Sequence, residues 1–312
     1  MELRHLRYFM AAAEEQHFGR AAERLNVTRP AVSQLVADLE SELGIALFER
    51  MPQQIRLTTA GRALLPQLHA VMDDLNEALA MARRVGHGEA GSLTVGYGSL
   101  TLLNKVFRAA IKRFHETYPA VTLSLVEMPT SAQPQALADG RIQAGFMHFG
   151  PEPPFQTRKR GAGNTVQVET VLDWFPIQTG GLGVAVPHDH RLAQQASVSL
   201  ADLVDEGFVV VPQSASSPGF GLLYAFCQKA GFVPRIVQEV SSITSQLNLI
   251  SVGMGIGITV IGRNFSYPDS LVVIPLHEVD YRMNFVFGWV KGQHDPVLER
   301  MLDVVKAVAR EQ

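Results

Sequence analysis

Residues 18–44 read FGRAAERLNVTRPAVSQLVADLESELG, and their pattern predicts two short helices joined by a tight turn. Thr28 is the expected cap of the second helix, and Pro30 fits its first turn, where a missing N–H costs nothing. Gly44 is expected to end this helix. Apolar residues at helical spacing predict its buried side, namely Val32, Val36, Leu39 and Leu43.

The residues on either side extend this unit. An earlier helix is predicted from the apolar face Leu6, Phe9, Met10 and Ala13. Three helices in about forty residues, the last two joined by a tight turn, are the components of a helix-turn-helix. Residues 46–58, ALFERMPQQIRLT, predict a short hairpin, or wing, packed beside the third helix.

A long helix is predicted to begin near Thr59, with a local kink at Pro66. Its apolar positions follow spacings of four and three, as in a coiled coil: Leu64, Leu68, Val71, Leu75, Ala78 and Ala82. We expect this helix to pair with a second copy; the alternative is a core helix of a larger domain. The glycine-rich segment 86–91 is the expected linker.

The rest of the chain alternates strands with helices, which predicts α/β layering in two subdomains of similar size. The predicted strands are 93–97, 121–127, 144–148, 182–186, 208–211, 235–240, 257–261 and 283–290, and the predicted helices are 102–116, 131–139, 219–230, 244–252 and one starting at Asp295–Pro296. Residues 149–181 give little pattern, and we expect them to be partly mobile.

The expected domains are therefore a winged helix-turn-helix over 1–58, a linker helix and hinge over 59–90, and an α/β domain over 91–312. Within the last, subdomain I is expected at about 91–165 and 277–312, and subdomain II at about 166–276.

Composition limits the class of protein. With 46% apolar and 18% charged residues among 312, the chain is an ordinary globular protein and not a disordered one. We expect neither an export signal nor a membrane span, and the lone Cys227 fits a reducing compartment, so a cytoplasmic location is expected. The net charge of −3 means that nucleic-acid binding has to come from local arrangement.

The predicted third helix offers such an arrangement. With its apolar side buried, Gln34 faces outward and can make a two-point contact with adenine, while first-turn N–H groups suit phosphate oxygens. The candidate DNA contacts of this segment are Thr28, Arg29, Pro30, Ser33 and Gln34. Three acidic residues, Asp38, Glu40 and Glu42, then have to point away from the DNA. The alternative for each residue is a solvated helix face.

The run LRYFMAAAEEQHFGRAAERLNVTRPAVSQLVADLE, followed by LGIALFER and LTTAG, resembles the LysR-type transcriptional regulators over roughly the first 61 residues. The order of a long helix, a glycine linker and two α/β subdomains resembling periplasmic binding proteins extends that similarity along the chain. The resemblance adds Arg20, Arg50 and Gln53 as DNA contacts, the last standing where many relatives carry an arginine. It implies double-stranded DNA, a small-molecule effector, a homo-oligomer (dimer or tetramer) and, for an activator, RNA polymerase as partners.

An effector cleft is expected where the two subdomains meet, at the carboxyl ends of their strands. Hydroxyl groups follow several predicted strands, and the candidate contacts are Ser99, Thr101, Thr130, Ser131, His148, Gln213 and Ser242. Because Ser99 and Thr130 lie in the segments that open the predicted helices 102–116 and 131–139, the site should favour a small organic anion, with an aromatic acid as one candidate. The alternative for Ser99 and Thr130 is plain helix capping.

Other kinds of site are not supported. Gly253, Gly255 and Gly257 follow a helix and precede a strand, the reverse of a dinucleotide-binding order. His188 and His190 lie in a turn without further ligands in view, so no metal and no cofactor are expected. No catalytic residues are expected either. The remaining alternative is an enzyme or solute-binding protein that uses the α/β half directly, with the helical half for assembly only.

Overall fold

The computed structural model describes residues 1–51, 54–151, 156–158, 169–212, 218–277 and 279–312, of which 156–158, 169, 170, 218 and 219 are described by backbone alone. The chain divides into two compact units, Met1–Arg83 and Arg84–Gln312. No helix in these described ranges combines the length and apolar character needed to cross a bilayer.

The first unit is a winged helix-turn-helix followed by a long helix. Its elements are α1 (Leu3–Glu15), α2 (Phe18–Arg24), α3 (Arg29–Leu43), β1 (Phe48–Arg50), β2 (Ile55–Leu57) and α4 (Thr59–Gly86). Phe9, Val32, Val36, Leu39 and Leu47 are fully buried in one core, so α1, α3 and the wing pack as a single body.

The ends of α3 follow from its capping residues. Asn26, at φ 55°, makes the turn, and Gly44 ends the helix in the left-handed conformation at φ 69°. Thr28 occupies the cap position, but its side chain makes no cap hydrogen bond, contrary to prediction. Leu43 was also predicted to be buried and is instead 42% exposed, because α3 ends there and the chain reverses at Gly44.

Helix α4 continues through Pro66 to Gly86. Its first turns pack on the core through Leu68, whereas Val71, Leu79, Met81 and Val85 are exposed within this single chain. The apolar stripe of α4 is therefore left without a cover in the monomer.

Over its described residues, the second unit is built on an eight-stranded sheet and a two-stranded one. Its strands are β3 (Gly91–Tyr97), β4 (Val121–Glu127), β5 (Ala144–Phe149), β6 (Gln156–Arg158), β7 (Glu169–Pro187), β8 (Gly207–Val210), β9 (Arg235–Glu239), β10 (Gly257–Ile261), β11 (Leu271–Pro275) and β12 (Met283–Val290). Its helices are α5 (Lys105–Thr117), α6 (Gln133–Ala138), α7 (Pro218–Lys229), α8 (Ile243–Ser251) and α9 (Pro296–Glu311).

Strand order explains how the two subdomains are joined. The main path of the large sheet is β10-β7-β12-β5-β3-β4; β3 lies parallel to β4 and β5, and β12 returns antiparallel between β5 and β7. A core of phenylalanines, among them Phe114, Phe146, Phe285 and Phe287, fills the first subdomain beneath α5 and α9. The return of the last strand to the first subdomain was expected from the sequence.

Strand β7 is the largest departure from the sequence-based expectation. Residues 149–181 were expected to be partly mobile, but their last part forms the first two-thirds of this 19-residue strand. Residues 172–180 of β7 pair with β12, and residues 181–187 pair with β10 and β11. The chain thus passes between subdomains inside one continuous strand, further along than the predicted bound of about 166.

A second connection joins the subdomains. The Lys105 N–H donates to the carbonyl of Asn264 at 2.7 Å, and the Ser266 N–H donates to the carbonyl of Leu103 at 2.9 Å. With the long strand, this double contact brings both subdomains to the walls of one cleft.

Candidate functional site

The outer face of the α3 N-terminus is open to solvent. Thr28, Arg29, Pro30 and Gln34 are exposed. Ser33 is half-buried, and its hydroxyl donates to the carbonyl of Pro30 at 3.1 Å. The N–H groups of Ala31 and Val32 are bonded to the carbonyl of Thr28, and Pro30 has no N–H, so this surface consists mainly of polar side chains at the start of the helix.

The acidic residues in the second half of α3 have separate partners. One carboxylate oxygen of Glu40 accepts hydrogen bonds from the N–H groups of Leu47 and Phe48 at 2.7 and 2.9 Å, and the other lies 3.7 Å from the guanidinium of Arg50. Glu42 pairs with the terminal ammonium of Met1 at 2.6 Å. Glu40 thereby ties the wing to α3.

Asp38 differs from the expectation that all three carboxylates point away from the DNA, because it lies on the exposed face of α3 that carries Gln34. It is exposed one helical turn after Gln34, on the same face, and accepts a hydrogen bond from the Gln34 amide nitrogen at 2.8 Å. The expectation rested on the repulsion between carboxylates and DNA phosphates and did not consider an (i, i+4) contact between an amide and a carboxylate.

The other predicted DNA contacts lie outside α3, on α2 and the wing. The guanidinium of Arg20 donates to the carbonyl of Glu15 and lies 3.6 Å from the Glu15 carboxylate, so it is held at the end of α1. Arg50 extends from the wing. Gln53 lies outside the described residues. Sequence reasoning missed Arg56, which is exposed on β2 opposite Glu49; strand alternation was the available signal.

A cavity of about 440 Å³ lies between the subdomains of the second unit. Its walls come from the ends of β3, β4 and β5 on one side and from β7, β8, β10 and the start of α8 on the other. The described residues lining it are Gly98, Ser99, Leu100, Glu127, Met128, Pro129, Thr130, His148, Leu182, Val211, Leu222, Ser241, Ser242, Ile243, Ile258, Thr259, Val260 and Met283. Among them Glu127 is the one charged side chain, and there is no lysine or arginine.

His148 is the most constrained polar group of this cavity. Its ring stacks on Phe285 with centroids 4.3 Å apart, and it is only 7% exposed. Its Nδ1 lies 3.5 Å from the Thr101 hydroxyl, while its buried Nε2 has no hydrogen-bond partner within the described part of the protein. Burial lowers the pKa of His148 to about 3, so the imidazole is neutral at physiological pH.

The other predicted effector contacts divide into three groups. Ser99, Thr130 and Ser242 line the cavity; Thr130 also accepts the backbone N–H of His148 at 3.3 Å, and Ser242 caps α8 through the N–H of Ser245. Thr101 is fully buried behind His148, and Ser131 is exposed away from the wall, so the structure does not bring these two to the cavity. Gln213 lies outside the described residues.

The segments at Ser99 and Thr130 do not open α-helices, contrary to expectation. Both residues begin short 3₁₀ turns, Ser99–Leu103 and Thr130–Ala132. Helix α5 starts later, and its first N–H groups are capped by the buried side chain of Asn104. A turn of three to five residues has little macrodipole, so the dipole argument for an anionic effector does not apply.

Most of the cavity wall was missed by sequence reasoning. Leu182, Val211, Ile258 and Met283 all lie on or directly after predicted strands, yet no sequence signal separates an apolar side chain at a cleft from one in a core. Only the polar side chains at strand ends could be assigned in advance.

Comparison with known proteins matches both parts of the chain. Residues 3–62 match the family model of the bacterial regulatory helix-turn-helix protein, lysR family, and residues 86–310 match the LysR substrate binding domain. The chain is 30% identical over 305 residues to the HTH-type transcriptional regulator AlsR of Bacillus subtilis (strain 168), covering 97% of this chain and 95% of that protein. It is 33% identical to the HTH-type transcriptional regulator ShiR of Corynebacterium glutamicum (strain R), and the match covers 98% of this chain and 100% of that protein.

A solved structure extends the likeness to three dimensions. The crystal structure of full-length CbnR complexed with its target DNA superposes with a TM-score of 0.73 at 25% identity, covering 99% of this chain and 100% of that one. The predicted fold class is confirmed. The chain therefore belongs to the LysR family and is a DNA-binding, ligand-sensing regulator of transcription.

Proposed function

We propose that the exposed face of α3, together with the wing, is the surface by which this regulator reads DNA. Its exposed residues are Thr28, Arg29, Pro30 and Gln34. The observation that carries the proposal is the exposure of Gln34 one turn into the helix, since an amide there reaches base edges in a major groove. The half-buried Ser33, with Arg20, Arg50 and Gln53, would contact the phosphate backbone around it.

The test compares wild type with Gln34→Ala and Arg29→Ala on duplex DNA selected by the wild-type protein from a random library. Gln34→Ala should lose discrimination at one base pair per half-site, by about 1–3 kcal/mol. Arg29→Ala should weaken binding to all sequences and reduce the salt slope by about one. Unchanged base preference in Gln34→Ala would refute the role of Gln34.

We propose that the uncovered stripe of α4 pairs with the same helix of a second copy. Val71 is 55% exposed, and Leu79, Met81 and Val85 are similarly uncovered. Pairing would set two DNA-reading surfaces on neighbouring half-sites, and a dimer of dimers would use the same contact twice. Sedimentation of Val71→Asp should show a smaller species than wild type, whereas Asp73→Asn, an exposed residue on the opposite face of α4, should not.

We propose that the cavity between the subdomains binds the effector, a small organic molecule. Its wall is mostly apolar, and its polar side chains are Ser99, Glu127, Thr130, His148, Ser241, Ser242 and Thr259. The Nε2 of His148 is buried and has no hydrogen-bond partner among the residues that the structure describes. It supports the assignment, because such an atom costs free energy unless a ligand satisfies it. If the effector is an acid, as predicted from the sequence, hydroxyl and main-chain N–H groups would have to bind its negative charge, because no lysine or arginine is among the described lining residues.

The effector can be sought by a thermal-shift screen of small carboxylic acids, aromatic ones included, each paired with its uncharged amide. A ligand at 100 times its dissociation constant stabilises by about 2.7 kcal/mol. Calorimetry with the resulting compound should show weaker binding by Thr130→Ala and His148→Phe. Ser131→Ala is the matched control, since Ser131 lies away from the wall. Equal affinities in all three variants would argue against this cavity.

Regulation then requires that the effector bind one arrangement of the oligomer more tightly than another, because equal affinity would shift nothing. A regulator of this kind needs no catalytic step, acts where the chromosome is, in the cytoplasm, and contacts RNA polymerase if it activates. A rival enzymatic use of the cavity would show as turnover of the bound compound, measured by chromatography of the ligand after prolonged incubation.

A further inference from the structure

Asp38 places a carboxylate on the face of α3 that is proposed to meet DNA. The other two carboxylates of its second half are engaged elsewhere, Glu40 by the wing and Glu42 by the chain terminus. Asp38 alone shares the exposed face of Gln34. A negative charge on a surface that meets phosphates weakens binding to every sequence, so its position needs a compensating role.

The contact with Gln34 suggests what that role is. The Gln34 amide nitrogen donates to a carboxylate oxygen of Asp38 at 2.8 Å. An amide has two N–H donors and an oxygen acceptor, so one N–H and the oxygen remain free. Those are the groups that pair with N7 and the 6-amino group of adenine.

The carboxylate also restricts which way the amide faces. An ionised carboxylate accepts hydrogen bonds and cannot donate them, so only the nitrogen end of the Gln34 amide fits against Asp38. An unrestrained glutamine can rotate its amide by half a turn and exchange its donor and acceptor. The contact therefore fixes the donor–acceptor order that Gln34 presents, and it immobilises a flexible side chain before DNA arrives.

We propose that Asp38 is a positioning residue that orients the amide of Gln34, raising base discrimination while lowering affinity for DNA of any sequence. This inference rests on the proposed role of Gln34 in base reading. Because Asp38 acts through Gln34, its effect on discrimination has to vanish when Gln34 is removed.

The experiment uses the full-length protein and the duplex selected by wild type, with each position of one half-site substituted in turn. The pair that Gln34 reads is the one at which Gln34→Ala loses discrimination. At that pair, Asp38→Ala and Asp38→Asn should lower discrimination about three- to tenfold, a part of the roughly 5- to 150-fold that a bidentate contact supplies. Asp38→Asn should lower discrimination because the asparagine amide both donates and accepts, so it can pair with either end of the Gln34 amide and does not fix its orientation.

Two controls separate orientation from charge. Asp38→Glu keeps an acceptor-only carboxylate within reach on the next turn and should keep discrimination within about twofold of wild type. Asp73→Ala removes an exposed charge of α4 and should leave discrimination unchanged. Affinity for non-specific DNA should rise about twofold in both Asp38→Ala and Asp38→Asn, as expected for one screened charge.

The outcomes are distinguishable. In the Gln34→Ala background, adding Asp38→Ala should change non-specific affinity but not discrimination. Wild-type discrimination in both Asp38→Ala and Asp38→Asn would reduce Asp38 to a surface charge and overturn the inference, while leaving Gln34 as a reader. Wild-type discrimination in Gln34→Ala itself would overturn the proposed role of Gln34 and this inference together.

Discussion

The buried imidazole of His148 makes the stability of the second unit depend on pH in a way that one substitution removes. In the unfolded chain the imidazole titrates near its ordinary pKa of 6.5, whereas in the folded protein burial lowers the pKa of His148 to about 3. Between these values the unfolded state binds a proton that the folded state does not. Stability is therefore highest above pH 6.5 and falls as pH decreases toward 3.

The magnitude follows from the two pKa values. At pH 5 the unfolded imidazole is protonated by about thirty to one, which favours unfolding by about 2 kcal/mol relative to pH 7.5. His148→Phe preserves an aromatic ring for stacking on Phe285 and removes the titrating group. We expect the variant to lose about 2 kcal/mol less than wild type between pH 7.5 and pH 5.

Urea unfolding followed by tryptophan fluorescence measures this difference. Both tryptophans of the chain, Trp174 and Trp289, lie in the second unit, so the signal reports on that unit alone. His115→Phe is the control, because His115 is exposed and its replacement should leave the pH dependence of wild type. Equal losses in His148→Phe and wild type, within about 0.5 kcal/mol, would show that the imidazole titrates normally and refute the reasoning.

Three other predictions concern packing and reactivity. Glu40→Ala leaves the N–H groups of Leu47 and Phe48 without their acceptor and should destabilise the first unit by about 2–4 kcal/mol, against about 1 kcal/mol for Glu40→Gln, measured by far-UV circular dichroism in urea. Gly88 has φ 69°, and a Cβ there would lie 2.2 Å from the carbonyl oxygen of Pro296, so Gly88→Ala should cost about 2 kcal/mol or more in tryptophan-detected unfolding, whereas Gly86→Ala should cost far less. The Cys227 thiol is buried and burial raises its pKa to about 11, so a thiol reagent should label the native protein only at the rate of unfolding; rapid labelling at pH 7 would contradict this.

The sequence was most informative where structure is local. The spacing of Val32, Val36 and Leu39 determines the buried side of α3, and Asn26 and Gly44 mark its ends, because caps and periodicity act within a few residues. The exposed Gln34 follows directly from that assignment. His148 was located in the same way, as the polar residue near the end of a predicted strand.

The failures come from interactions that are not local. The start signal at Gly98–Ser99 is common to α and 3₁₀ helices, and the two differ only in which carbonyl each N–H reaches. The glycines at 180, 181 and 183 are typical of a loop, but here they lie in β7, where a Cβ at Gly180 or Gly183 would collide with the backbone of Ile261 or Ile274 on a neighbouring strand. The pairing of Gln34 with Asp38 needs both rotamers, which spacing alone does not determine.

Strand β7 limits how the effector cavity can change shape. It pairs with β12 over residues 172–180, with one irregularity between Phe285 and Val286, and with β10 and β11 over residues 181–187. A second backbone contact joins Leu103 and Lys105 to residues 264–266. A freely swinging hinge would break ladder bonds along this shared strand. Two such attachments resist bending more than twisting. We therefore expect effector binding to rotate one subdomain of the second unit slightly against the other.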